Sequence, residues 1–371
     1  TTALTSLHSA VDEAVAAQHD EVLVKAATDL VSFVGVSLSR YEEAERWGRL
    51  AAAAVRRRGR DMSDTIELDG ALCMMLADKG EPKAALPRCQ EALDLSIVVH
   101  GPTHSITGVA HRGVGNAHYM AGDFAAAEAA YRRSTELFLA SHGLDHPEYP
   151  ALLNSLAAVC YQQGRGAACV EQFEQALAAA VRSFGPEHPA VADFTNNLAV
   201  VLQDLGRLDE AEPHARRSLE LRRARFGDGH PGVGAAHRTL AKIAQARGEL
   251  PTAREHADRA VEVLRATRGE QHPDVLEALE TRARILVQAG EVDAGLRDMD
   301  EALRLVVALE RPARERATLR LGFAKVLTTA RPERARELVT QAEAEAKAET
   351  SSDAALMREL ASVRAGLGAS P

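Results

Sequence analysis

The sequence predicts an all-α solenoid of about eight helical hairpins with a 42-residue period. Two glycine series and one histidine series predict it. Gly80, Gly122, Gly164, Gly206, Gly248 and Gly290 stand 42 residues apart, and so do Gly59, Gly101, Gly143, Gly185, Gly227 and Gly269. His104, His146, His188, His230 and His272 follow the second series by three residues, and Pro147, Pro189, Pro231 and Pro273 follow four of these histidines. Markers that keep one period over so many steps override the two or three globular domains suggested by 371 residues.

Each marker has a physical reading. The first glycine series ends helix A of each hairpin. The second takes the left-handed position that closes helix B. The His-Pro pair then opens the next helix A, where the missing proline N–H is no loss. Pro87 and Pro213 are expected near the start of a helix B for the same reason.

Small residues mark where A and B touch. Helix A carries a large residue followed by a small one: Leu72-Cys73, Val114-Gly115, Leu156-Ala157, Leu198-Ala199, Leu240-Ala241, with Arg282-Ala283 keeping only the small half. Twelve residues later come Ala85, Ala127, Cys169, Ala211, Ala253 and Gly295, and seven further on Ala92, Ser134, Ala176, Ser218, Ala260 and Ala302. A longer side chain there would push the helix axes apart.

The ends diverge. Residues 36–59 read as a first hairpin and 316–348 as a last one with a shortened turn. The expected layout is a capping helix over 4–18, hairpins over 19–310 that become regular from about 60, a divergent hairpin over 311–348, and a capping helix and tail over 349–371. Glu349, Arg358 and Glu359 supply the polar end that a solenoid needs.

Composition excludes several functions. The chain is 46% apolar but only 4% aromatic, and its net charge is −9. Both signs are interleaved along the helices, as on a solvated face, and a nucleic-acid binder would want a basic domain. No apolar run approaches the roughly 18 residues of a membrane helix, and no signal peptide opens the chain. It begins with Thr1 rather than Met, which reads as a piece of a longer chain. Cys73, Cys89, Cys160 and Cys169 contain no CxxC and fall at small or apolar repeat positions, so buried free thiols are expected. Reduced thiols fit the cytoplasm.

Chemistry is not expected. Equivalent loop histidines on repeats stacked roughly 10 Å apart cannot share a zinc whose ligand nitrogens lie about 2.0–2.1 Å away. Their role is loop capping and packing. His111, His118 and His237 fall on helix A as groove or core contacts. No nucleophile–base set and no cofactor motif is present.

The frame with NNLA (196–199), GRLDEAEP (206–213) and FGPEHP (184–189) resembles the tetratricopeptide repeats of kinesin light chain over roughly 60–310. The resemblance implies a right-handed superhelical solenoid whose A helices line a concave groove. Its exposed positions then form three stripes. Arg112, Asn154, Asn196, Arg238 and Glu280 make one, Met74, Asn116, Ala158, Val200, Lys242 and Arg284 another, and Ala77, Tyr119, Tyr161, Gln203, Gln245 and Val287 the third.

The resembling repeats bind cargo peptides through such an Asn and basic groove, which implies that role for Asn154, Asn196 and Asn197. Arg and Glu at 238 and 280 depart from the pattern. The candidate peptide-binding residues are Arg112, Asn116, Tyr119, Asn154, Tyr161, Asn196, Asn197, Gln203, Arg238, Lys242, Gln245 and Arg284. The expected ligand is an extended acidic or C-terminal peptide, its backbone held by an Asn ladder. An oligomerisation module forming a homodimer and a small-ligand sensor are the alternatives.

The flanks at 34–59 and 330–348 resemble the C-terminal regions of bacterial, especially myxobacterial, serine/threonine protein kinases. The kinase signatures themselves are missing. The resemblance implies a regulatory or docking region whose kinase domain lies on the same parent chain. It is cytoplasmic, or periplasmic if a membrane helix precedes it there.

Overall fold

A computed structural model describes residues 2–38, 40–144, 146–348 and 354–368. These residues are helical, with no strand among them. The chain divides into two compact units between Phe194 and Thr195.

The first unit opens with α1 (Thr2–Ala16) and α2 (Asp20–Leu30), which continues into a π-helical stretch, Val31–Ser37. Then come α3 (Tyr41–Arg57), α4 (Met62–Asp78), α5 (Pro82–His100), α6 (Ser105–Met120), α7 (Phe124–His142), α8 (Glu148–Gln162) and α9 (Gly166–Phe184). Hairpins form by α2 with α3, α4 with α5, α6 with α7 and α8 with α9. Residues 36–59 are therefore not a hairpin, as expected, but chiefly its second helix; the partner is α2 with its π-helical end. Gly35 in that stretch lets Met75 of α4 approach so closely that a Cβ would lie 2.5 Å from its Cγ.

The unit boundary falls within α10 (Val191–Asp204). The second unit continues with α11 (Leu208–Phe226), α12 (Pro231–Ala246), α13 (Leu250–Arg268), α14 (Pro273–Gln288), α15 (Val292–Ala308), α16 (Ala313–Leu327), α17 (Pro332–Ala348) and α18 (Ala354–Gly366). Here α12 packs on α13, α14 on α15, and α16 on α17, with α18 against α16 and α17. Arg358 and Glu359 lie on this last helix; Glu349 is outside the described residues.

The glycine turns are as expected. Both series have positive φ, from 74° to 88°. After each helix A, the residue following the glycine donates to the carbonyl five residues back, as Glu81 does to Leu76 (2.9 Å) and Glu291 to Leu286 (2.8 Å). This satisfies carbonyls that the helix end would leave unpaired. Pro87 and Pro213 lie deeper than expected. Each is the sixth residue of its helix, past the free N–H groups of the first turn, so each removes one backbone bond.

The loop histidines accept a backbone N–H two residues on through Nδ1, and His104, His230 and His272 are thereby the N-caps of their A helices. His104 accepts from the N–H of Ile106 (3.2 Å), His146 from Glu148 (3.2 Å), His188 from Ala190 (3.2 Å), His230 from Gly232 (3.1 Å) and His272 from Asp274 (3.0 Å). An imidazole nitrogen thus does what an Asp or Ser oxygen does at most helix starts. The ring four residues earlier braces several of them: His100 on His104 at 5.1 Å, Phe184 on His188 at 5.1 Å, and Phe226 on His230 at 4.2 Å.

The small positions form the A–B seams. Ala85, Ala127, Cys169, Ala211 and Ala253 are fully buried. At Gly115 a Cβ would meet the Tyr131 ring at 2.6 Å, and at Gly295 it would meet Val287 at 2.6 Å. Neighbouring repeats join at equivalent or adjoining positions. Lys25 reaches Glu67, 42 residues on, at 3.2 Å, and Gln245 reaches Gln288, 43 residues on, at 2.8 Å.

The cysteines correct the expectation of free thiols. Cys73 of α4 is bonded to Cys89 of α5, Cα atoms 5.1 Å apart, and Cys160 of α8 to Cys169 of α9, Cα atoms 5.8 Å apart. Each bond joins one small position of the seam, Cys73 or Cys169, to a cysteine outside the small series on the facing helix.

Candidate functional site

All twelve candidate residues lie on A helices, and all but Asn197, which adjoins Asn196, stand at one- or two-turn spacings that share a face of their helix. In the first unit, α6 carries Arg112, Asn116 and Tyr119, and α8 carries Asn154 and Tyr161. In the second, α10 carries Asn196, Asn197 and Gln203, α12 carries Arg238, Lys242 and Gln245, and α14 carries Arg284. Eleven are half-buried, and Asn196 is buried at 9% exposure. The two ends of the expected amide ladder, Asn154 and Asn196, belong to different units.

Several of these side chains already have partners. Asn116 accepts at Oδ1 from the Tyr131 hydroxyl at 2.8 Å, and its Nδ2 lies 3.2 Å from the Met74 sulfur. Tyr119 accepts from Gln162 at 3.2 Å, and burial raises its phenol above the usual range. Asn196 accepts from the Thr239 hydroxyl at 3.2 Å, so that amide oxygen serves the core as well as the face.

The arginines face carboxylates, of which the sequence reading placed only Glu280 on this face. Arg112 lies 3.1 Å from Glu148, Arg284 lies 2.5 Å from Glu280, and Arg238 pairs with Glu277. The Arg284 pair was readable from its i,i+4 spacing. The other two cross to the next A helix at offsets that the period does not fix.

Lys242 is different. It makes no ion pair among the described residues. Burial lowers its pKa, Arg238 and Arg284 push the same way, and Asp204 and Glu280 oppose them. A half-buried ammonium between two guanidiniums is a place where added negative charge is favourable.

Among the described residues no cluster of His, Cys, Asp and Glu could hold a metal ion. No described helix is long and apolar enough to cross a membrane.

Comparison with known proteins agrees with this architecture. The structure is similar to a Rap protein complexed with Competence and Sporulation Factor, at 14% identity and TM-score 0.62, over 94% of this chain and 99% of that one. It is also similar to the APC/C hetero-tetramer Cut9-Hcn1, at 15% identity and TM-score 0.58, over 95% of this chain and 60% of that one. A putative kinesin light chain from Podosopora anserina with nearly identical TPR-like repeats matches 57% of this chain and 100% of its own, at 20% identity and TM-score 0.44. No curated protein matches. The model of the MalT-like TPR (tetratricopeptide repeat) region matches residues 67–361, most of the hairpins described above, and the chain belongs to that family.

Proposed function

We propose that this chain is a peptide- or protein-binding scaffold whose A-helix face takes an extended acidic or C-terminal peptide. The observation that carries the reading is Lys242, an ammonium without an ion-pair partner among the described residues, flanked by Arg238 and Arg284. A peptide carboxylate would give it the missing countercharge, and charge-assisted bonds are stronger than neutral ones. Gln245, one turn further along α12, offers its amide oxygen to an extended backbone. The similar Rap and Cut9 structures each hold a named partner, which supports a binding role over catalysis.

On the resemblance of its flanks, the scaffold serves as the docking region of a bacterial signalling serine/threonine kinase. Two buried disulfides favour the periplasmic side over the reducing cytoplasm.

The test is an array of peptides with free and amidated C-termini, probed with the wild type, Lys242→Gln and Gln245→Ala. Lys242→Gln should lose the preference for free or acidic termini, and Gln245→Ala should weaken all hits. Binding should also weaken with salt. If both variants bind as the wild type does, the A-helix assignment is wrong.

A further inference from the structure

The first unit holds a cavity of about 410 Å³ among α2, α4, α5 and α6. It opens where the stripe of Arg112 and Asn154 runs back through the first repeats. One and two periods before Arg112 stand Gly70 and Thr28. Where later repeats carry a long polar side chain, α4 carries none, and a Cβ at Gly70 would meet nothing within 4 Å. The floor is Ala71, Ala92, Gly113 and the Cys73–Cys89 disulfide; Ile66, Ile106 and Val109 add apolar wall.

The polar groups define the ligand. Rim cations are already neutralised: Lys25 lies 3.2 Å from Glu67 and 3.8 Å from Asp29, and Arg112 lies 3.1 Å from Glu148. The remaining polar groups are the hydroxyls of Ser32 and Thr28; Thr28 lines the cavity, is 5% exposed, and its Oγ1 has no hydrogen-bond partner in the protein. A buried hydroxyl without a partner is costly, and native structures rarely leave one. The volume lies within the range of about 300–1,000 Å³ typical of small-molecule sites, which are mostly apolar with a few placed polar groups.

We infer that this cavity is a binding site for an uncharged, mainly apolar small molecule bearing one hydrogen-bond acceptor, which takes the Thr28 proton. It is a second site, separate in chemistry from the charged face at Lys242.

The probe is prodan, an uncharged naphthalene ketone whose emission shifts to the blue in apolar surroundings, titrated into the full chain. Saturable one-to-one binding is expected. Gly70→Leu fills the cavity from a helical position and should reduce affinity at least tenfold, with a melting temperature equal to or above that of the wild type, since Leu is the better helix former. Thr28→Val keeps the shape and removes the donor. It should weaken prodan about fivefold, the worth of one ordinary hydrogen bond, and leave the parent dimethylaminonaphthalene, which lacks the ketone, unchanged. Absence of prodan binding, equal binding by Gly70→Leu, or equal weakening of both probes by Thr28→Val would each overturn the assignment.

Discussion

Nδ1 of His237 on α12 lies 2.9 Å from Nδ1 of His256 on α13, with the rings 5.1 Å apart. One ring must donate and the other accept, so the contact requires at least one neutral imidazole. Burial is the main reason that both pKa values fall. For His237, which is pushed down to about 4, His256, Arg223 and Arg259 add to it and Asp228 opposes. For His256, Arg216 and Arg223 act in the same direction as burial, against Glu255 and Glu212.

The unfolded chain therefore binds the extra proton first. Stability should be full above the ordinary histidine value of 6.5 and be lost as pH falls from there towards about 4. The loss should be on the order of 3 kcal/mol. Urea melts of the wild type and His237→Leu across that range check it. Leu279 occupies the equivalent place one repeat later, so the variant is a natural one, and its curve should be flatter.

The histidine caps predict a stability effect without metal. His230→Ala should cost about 1 kcal/mol, and His230→Asp should recover most of it by offering an oxygen to the Gly232 N–H. Thermal melts read both, and EDTA should leave the wild-type melting temperature unchanged.

The seams predict sensitivity to volume. Ala211 is fully buried on α11, and Ala211→Leu should destabilise the second unit by about 1–3 kcal/mol. An unchanged melting temperature would place the helix register elsewhere.

The cystines predict a redox dependence. Thiol titration of the native chain should find none of the four cysteines free. Closing loops of 16 and 9 residues should each contribute about 3 kcal/mol. Reduction should lower the melting temperature of the wild type more than that of the Cys73→Ala/Cys89→Ala variant.

Much of this fold is legible in the sequence because the period is written in residues with narrow physical roles. A glycine at positive φ and a histidine before a helix start can be counted without knowing any contact. The first hairpin was misread because that signature is absent upstream of Gly59, and α2 passes into its π-helical end without a turn residue. The disulfides were missed because separations of 16 and 9 share no pattern; only the folded seam brings the sulfurs together. In the candidate site, the stripes follow from helical spacing, but the occupancy of Asn116 by Tyr131 and of Arg238 by Glu277 depends on neighbouring helices. The cavity at Gly70 shows in the sequence only as a missing side chain.

The repeated joint also makes the second unit divisible. Removing residues 227–268 would join Phe226 to Gly269 and give Phe-Gly-Glu-Gln-His-Pro, a junction of the same form as the one at Phe184–Pro189. Val275, Ala278, Ala283 and Ile285 would arrive where Val233, Ala236, Ala241 and Ile243 now sit, all eight of them buried. His272 would inherit the capping task of His230. The chain is thus built like a word with a repeated syllable. Slippage of the gene by one whole period can lengthen or shorten it while the reading of every remaining joint stays the same.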